Sequence, residues 1–239
     1  MVEKNEYDNI DPEDYENRRS QNSKEEYLYQ HWEPLISNVI VKYSKNCVVL
    51  DLGCGPGNYT NLMAKYAKKV VGIDSSKRML SYAQKKYPKI DFIFADATDT
   101  GLENNSIDTV FSFGLFEFAD KEKLIKEIHR VLKFGGISVI SAPNIYSIPR
   151  FLFAVFYKIK GKKRRCYEPS FGQMIKLFSN SGFKIIDYKM DDGLFWVPGK
   201  LDKIFGKKTY LFIEKFFKIF KRNPFSANML FIIKKIEHA

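Results

Sequence analysis

Cysteine, histidine and tryptophan are scarce in this chain, with three, three and two copies among 239 residues. Cys47, Cys54 and Cys166 are odd in number and form no Cys-x-x-Cys pair, so neither a disulfide framework nor a thiolate zinc site is expected. A chain of this length can bury roughly 70–75% of its unfolded surface without such staples. His31 falls on the polar side of a predicted helix, His129 stands beside Arg130 within another, and His238 is near the end. None of them shares metal-ligand spacing with a cysteine or carboxylate, so no metal is expected. Long apolar runs are also lacking, since none approaches the roughly 20 residues that cross a bilayer. The opening "MVEKNEYDNIDPEDYENRR" is acidic and polar rather than leader-like. Reduced thiols in a cytoplasmic setting are the expectation.

Positive charge is abundant, but only in one part. Residues 150–239 hold 20 Lys/Arg against 7 Asp/Glu, whereas residues 1–46 hold 6 against 10. The chain's net +11 therefore comes from its C-terminal part. Such a region suits an anionic partner, whether phosphate, lipid headgroup or nucleic acid, or else a solvated lysine-rich surface.

Residues 1–22 lack hydrophobic periodicity and are expected to be mobile or to fold over something else. Ser23 can cap a helix reaching about Tyr43, with Trp32, Ile36, Val39 and Ile40 on one face. Short runs rich in Val, Ile and Phe then alternate with helices. Strands are predicted at 47–51, 70–74, 90–95, 107–113 and 136–142, and helices at about 57–67, 76–86 and 121–133. That alternation predicts an α/β parallel sheet covered on both faces, with ligands beyond the carboxyl ends of its strands. After Pro143 come a helix from Ser170 to Gly182, a strand "KIIDYKM" and a last strand "SANMLFIIKKI". These two strands can pair antiparallel at the sheet edge.

"VVLDLGCGPGNYT", Val48 to Thr60, places Asp51 directly before glycines at 53, 55 and 57. A glycine turn alone is weak evidence, because dinucleotide enzymes carry a close relative. Those enzymes hold an anionic pyrophosphate at the helix N-terminus, where a neighbouring carboxylate would be unfavourable. Asp51 instead suits a ligand with cationic groups nearby, such as the sulfonium and ammonium of S-adenosylmethionine. The third glycine of the dinucleotide pattern, expected near Thr60, is missing. Asp74 ends the second strand, 21 residues beyond Gly53, where it can accept from both ribose hydroxyls. Asp96 follows the third strand and can accept from an adenine amino group. The Asp74-Ser75-Ser76-Lys77 run can also simply cap the next helix.

Together these pieces resemble the class I S-adenosylmethionine-dependent methyltransferases. The ordered series is "VLDLGCGPG", "VGIDSSKRMLSYA", "FADATD", "IDTVFSFGLFEFAD" and "EIHRVLKFGGISVISAPN". The resemblance implies a Rossmann-like, seven-stranded, mostly parallel sheet with an antiparallel last strand and helices on both faces. It implies one methyltransferase domain over 47–239, whose insertions 145–167 and 193–225 build the acceptor side. Residues 1–46 would be a tail and helix covering the cofactor. Gly53 and Gly55 would lie at the methionine part and Asp74 at the ribose, with Gly57 and Ser75 also among the cofactor-binding residues. Met79, Asp96 and Ala97 would surround adenine, Phe113 and Gly114 would offer backbone contacts, and Tyr15 and Arg18 would fold over the top.

Many members of that family carry an acidic–His pair after the fourth strand; here it reads Glu117-Phe118, which leaves Glu117 as the candidate base. On the acceptor side, residues 151–165 run from aromatic to strongly basic. Residues 209–222, "TYLFIEKFFKIFKR", read as a helix with a narrow polar face. Such a helix can cap the sheet, form a dimer, or lie on the inner membrane face with lysines on phosphates. The expected acceptor is a small or amphiphilic, lipid-linked molecule. The alternatives are RNA, with lysines on phosphates and aromatics on bases, and a cofactor-binding protein without transfer activity. A nicotinamide oxidoreductase is disfavoured by Asp51.

Overall fold

The computed structural model describes residues 10–21, 23–147, 161, 168–190 and 228–237, with residues 17–31 described as backbone alone. Within them lies one seven-stranded sheet. Its strands are β1 (Val48–Leu52), β2 (Lys69–Asp74), β3 (Asp91–Phe94), β4 (Ile107–Ser112), β5 (Leu132–Pro143), β6 (Phe183–Met190) and β7 (Asn228–Lys235). The helices are α1 (Pro12–Gln21), α2 (Ser23–Ser44), α3 (Asn58–Ala64), α4 (Lys77–Lys86), α5 (Lys121–Val131) and α6 (Phe171–Asn180).

The strand order is β3-β2-β1-β4-β5-β7-β6. Strands β1 to β5 run parallel, and β7 inserts antiparallel between β5 and β6. Both the parallel sheet and its antiparallel edge pair agree with the sequence expectation. Alternate residues of each strand face opposite sides, and two cores result. Val49, Phe111, Val139 and Ile232 pack with Ile36 and Ile40 of α2 and Met63 of α3. Leu50, Val110, Ile140 and Phe231 pack with Leu124 and Ile128 of α5 and Phe178 of α6. The central strands are buried on both faces, which is why they read as unbroken apolar runs. Coverage ends at the edge strand β3, where Ile93 and Phe94 are exposed.

Two local expectations need correction. The predicted helix 121–133 stops at Val131, because Leu132 is already extended and pairs with Ile107. Strand β5 therefore begins four residues before the predicted 136. At the other end, the aperiodic N-terminal stretch contains α1. Asp11 accepts from the backbone N–H groups of Glu13 (3.0 Å) and Asp14 (3.2 Å). Pro12 stands at the first helical position, and Glu13 and Asp14 complement the helix dipole in the first turn. Start signals replaced a hydrophobic stripe here.

Among the described residues no helix is long and apolar enough to cross a membrane. The stretches 151–165, apart from the turn residue Gly161, and 209–222, with its predicted helix, lie outside the described residues.

Candidate functional site

The parallel topology brings the loops after β1, β2, β3 and β4 to one edge of the sheet. Since the order reverses beside β1, with β2 on one flank and β4 on the other, a crevice is expected above β1. The turn Gly53–Gly57 fills its floor. The Gly53 and Cys54 N–H groups both donate to the Ile73 carbonyl of β2, at 2.8 and 2.9 Å. Gly53 lies beneath the Leu115 side chain.

Gly55 and Gly57 answer different needs. Gly55 has φ +52°, and a Cβ there would meet nothing within 4 Å, so its backbone faces open space. Gly57 has φ +83°, and a Cβ there would come within 2.8 Å of the Phe92 ring. Close packing of α3 against β3 and α4 therefore excludes any side chain at Gly57.

Asp74 ties the two turns together. Its Oδ2 accepts the Gly55 N–H at 2.8 Å and its Oδ1 accepts the Ser76 N–H at 2.8 Å. A carboxylate has about four acceptor sites, so bracing the loop and accepting from a diol are compatible. The cap of α4 is Ser76, whose hydroxyl accepts from the Met79 N–H at 3.3 Å, while Ser75 lies half-buried between Asp74 and that cap. Met79 is buried in the first turn of α4.

Asp51 is only 2% exposed. The Thr60 hydroxyl donates to its Oδ2 at 2.6 Å. Burial, reinforced by the negative charge of Asp74 and opposed by the Thr60 hydrogen bond, pushes its carboxyl up to about 7. Burial, with Asp51 and Asp74, also raises the Cys54 thiol well above its ordinary range. The groups that set the Asp51 value include no cation among the described residues. Among the described residues no acidic, histidine and cysteine group could hold a metal ion either. A buried carboxylate beside a second carboxylate fits a ligand that brings positive charge, and the open backbone at Gly55 leaves room for one. The residues present thus fit the sulfonium nucleoside expected from the sequence.

The remaining predicted residues spread around this centre. Asp96 is exposed, and its Oδ1 accepts both the N–H and the hydroxyl of Thr98 at 2.7 Å. Ala97 packs half-buried against the core. Phe113 meets Tyr59 edge-on at 5.4 Å, and the Gly114 N–H donates to Ser141 Oγ at 2.9 Å. Glu117 is half-buried in the turn after β4. Tyr15 is half-buried on α1, and Arg18 lies on the same helix with its side chain outside the described residues. His129 packs edge-on to Phe183 at 5.3 Å, in the α5–β6 layer.

Two partners escaped the sequence reading. In the sequence Thr60 stands only where a dinucleotide glycine is missing, yet its hydroxyl is what contacts Asp51. Ser141 gives no local signal, because only the β4–β5 register brings it under Gly114.

Comparison with known proteins adds to this geometry. A family described as "Methyltransferase domain" matches residues 50–140. A ubiquinone/menaquinone biosynthesis C-methyltransferase of Campylobacter jejuni is 30% identical over 173 residues, covering 61% of this chain and 74% of that protein. A probable S-adenosylmethionine-dependent methyltransferase of Mycolicibacterium smegmatis is 27% identical over 140 residues, 58% of this chain. The match spans about half, 52%, of the length of that mycobacterial relative. In fold, the crystal structure of magnesium protoporphyrin IX methyltransferase from Synechocystis with bound SAH superposes with a TM-score of 0.67 at 16% identity, covering 96% of each chain.

Proposed function

This chain belongs to the class I S-adenosylmethionine-dependent methyltransferases, and from that premise we propose that it methylates a small or amphiphilic, apolar acceptor. S-adenosylmethionine, when bound, supplies an activated methyl carbon on its sulfonium. Displacement at such a carbon leaves the protein mainly to position two reactants, which can lower the barrier by about 7–11 kcal/mol. The observation that carries the reading is the buried Asp51 carboxylate beside Asp74 at the glycine turn. In this reading Asp51 holds the cationic end of the cofactor, Asp74 accepts from the ribose, and Gly53, Gly55 and Gly114 let backbone approach the methionine part. Met79, Asp96 and Ala97 enclose the adenine.

Support for an apolar acceptor comes from the side of the crevice towards β4 and β5. Phe118, in the loop after β4, is 49% exposed, and Tyr146, after β5, is 57% exposed. A relative is named for C-methylation in ubiquinone/menaquinone biosynthesis, and the aromatic and basic stretches 151–165 and 209–222 suit an interface with anionic lipid. Carbon methylation requires loss of a proton, and Glu117 is the group proposed to take it.

The test supplies methyl-labelled S-adenosylmethionine with a demethylated quinone in anionic vesicles, and in parallel with transfer RNA. Label in the vesicle extract, lost in Glu117→Gln, supports the reading. Label in RNA alone, or none anywhere despite cofactor binding, overturns it.

A further inference from the structure

The described part of α1 touches the two helices that leave the cofactor turns. Asp11, its cap, pairs with Arg78 at 2.6 Å, just past Ser76, the N-cap that follows Asp74. One turn further along, Glu16 accepts from Lys86 Nζ at 2.8 and 2.7 Å and from the Tyr82 hydroxyl at 2.9 Å. Lys86 Nζ also donates to Asn58 Oδ1 at 3.3 Å, and the Tyr87 hydroxyl donates to the same oxygen at 2.8 Å. Asn58 directly follows Gly57, the last glycine of the turn. One ammonium therefore bridges α1, α4 and the start of α3.

We propose that Glu16 is a latch that fastens α1 across the helices bordering the cofactor crevice, and so sets how slowly the cofactor leaves. Glu16 touches no reacting atom; it is a positioning residue acting through Lys86 and Asn58. The inference rests on the cofactor reading given above. Its side chain is 17% exposed and that of Lys86 is 37% exposed, so the pair is partly shielded yet still reached by salt. Burial would raise the Glu16 carboxyl, but hydrogen bonds from Lys86, Tyr82 and Asn58 outweigh it and hold the group below its ordinary range. The latch is thus fastened at neutral pH. The Asp11–Arg78 pair is more open, with 43% and 48% exposed side chains, and contributes less.

The experiment follows dissociation of S-adenosylhomocysteine from the full chain by competition, at low and at high salt. Wild type should release it faster at high salt. Glu16→Gln should release it roughly two- to fivefold faster at low salt, the range of a partly exposed ion pair, and should lose most of the salt dependence. The single reversals Glu16→Lys and Lys86→Glu should both speed release, and combining them should restore it. A general loss of packing would not be rescued by that exchange. Equal release rates and equal salt slopes in wild type and Glu16→Gln would overturn the latch. Failure of wild type to bind the compound at all would instead strike the cofactor reading.

Discussion

Two buried ionisable groups, one at each end of the sheet, make the most informative comparison in the molecule. Lys235, near the end of β7, is 3% exposed, and Asp51, at the carboxyl end of β1, is 2% exposed. The Lys235 ammonium donates to Asn105 Oδ1 at 2.8 Å and to the carbonyls of His129 and Leu132 at 2.7 and 2.8 Å. It also sits 4.7 Å from the centre of the Phe134 ring. His129 lies in the last turn of α5 and Leu132 is its C-cap, so the lysine acts as a cap where the helix dipole favours a cation. Asp51 has the Thr60 hydroxyl and a second carboxylate for company. The lysine's charge is compensated by its own fold; the aspartate's full ionisation waits for a cation brought from outside. Folding tolerates the second arrangement only at a cost, which is why it marks a site.

Substituting each charge should separate these roles. Lys235→Met leaves the buried Leu132 carbonyl and the part-buried Asn105 and His129 acceptors without their donor, and should destabilise the fold by about 1–3 kcal/mol. Denaturant unfolding would read it, with cofactor affinity of the remaining folded protein unchanged. Asp51→Asn should do the reverse. Its amide oxygen can still accept from Thr60, so the fold should keep its stability at pH 7, whereas affinity for S-adenosylmethionine should fall about tenfold, or about 1.4 kcal/mol. A loss of stability with unchanged affinity would erase the contrast. Ser141→Ala sharpens the picture at its weak end. Gly114 is exposed, so water can replace the lost hydroxyl, and cofactor affinity should fall only about twofold, with no shift in unfolding.

Legibility in the sequence followed the same division. The parallel sheet, its antiparallel edge and the carboxylates at strand ends could be read because each is encoded by a short local run. VVLDLG, for example, is strand, acid and turn in six residues. What could not be read depends on residues far apart in the chain. Lys235 looked like one lysine among many in a basic C-terminal part, since its acceptors lie 103 to 130 positions away. Gly57 looked like a ligand-facing glycine, but the Phe92 ring that excludes a side chain there belongs to another strand. The helix α1 was missed for a different reason. It carries no apolar periodicity, and its start is written instead in Asp11-Pro12-Glu13-Asp14.

Below about pH 7 Asp51 is mostly protonated until a cation arrives, and proton linkage tests this most directly. Its folded value of about 7 exceeds the ordinary 3.8. Between those values the folded chain keeps a proton that the unfolded chain has lost, so stability of the cofactor-free protein should fall as pH rises from about 4 to 7. A bound cation favours the ionised carboxylate, so binding in that window should expel the proton. Calorimetric titration of S-adenosylmethionine at pH 6, repeated in two buffers of different ionisation heat, measures that release. Most of one proton released by wild type, and none by Asp51→Asn, is the predicted result; equal release by the two proteins, or uptake of NAD in place of S-adenosylmethionine, would contradict it.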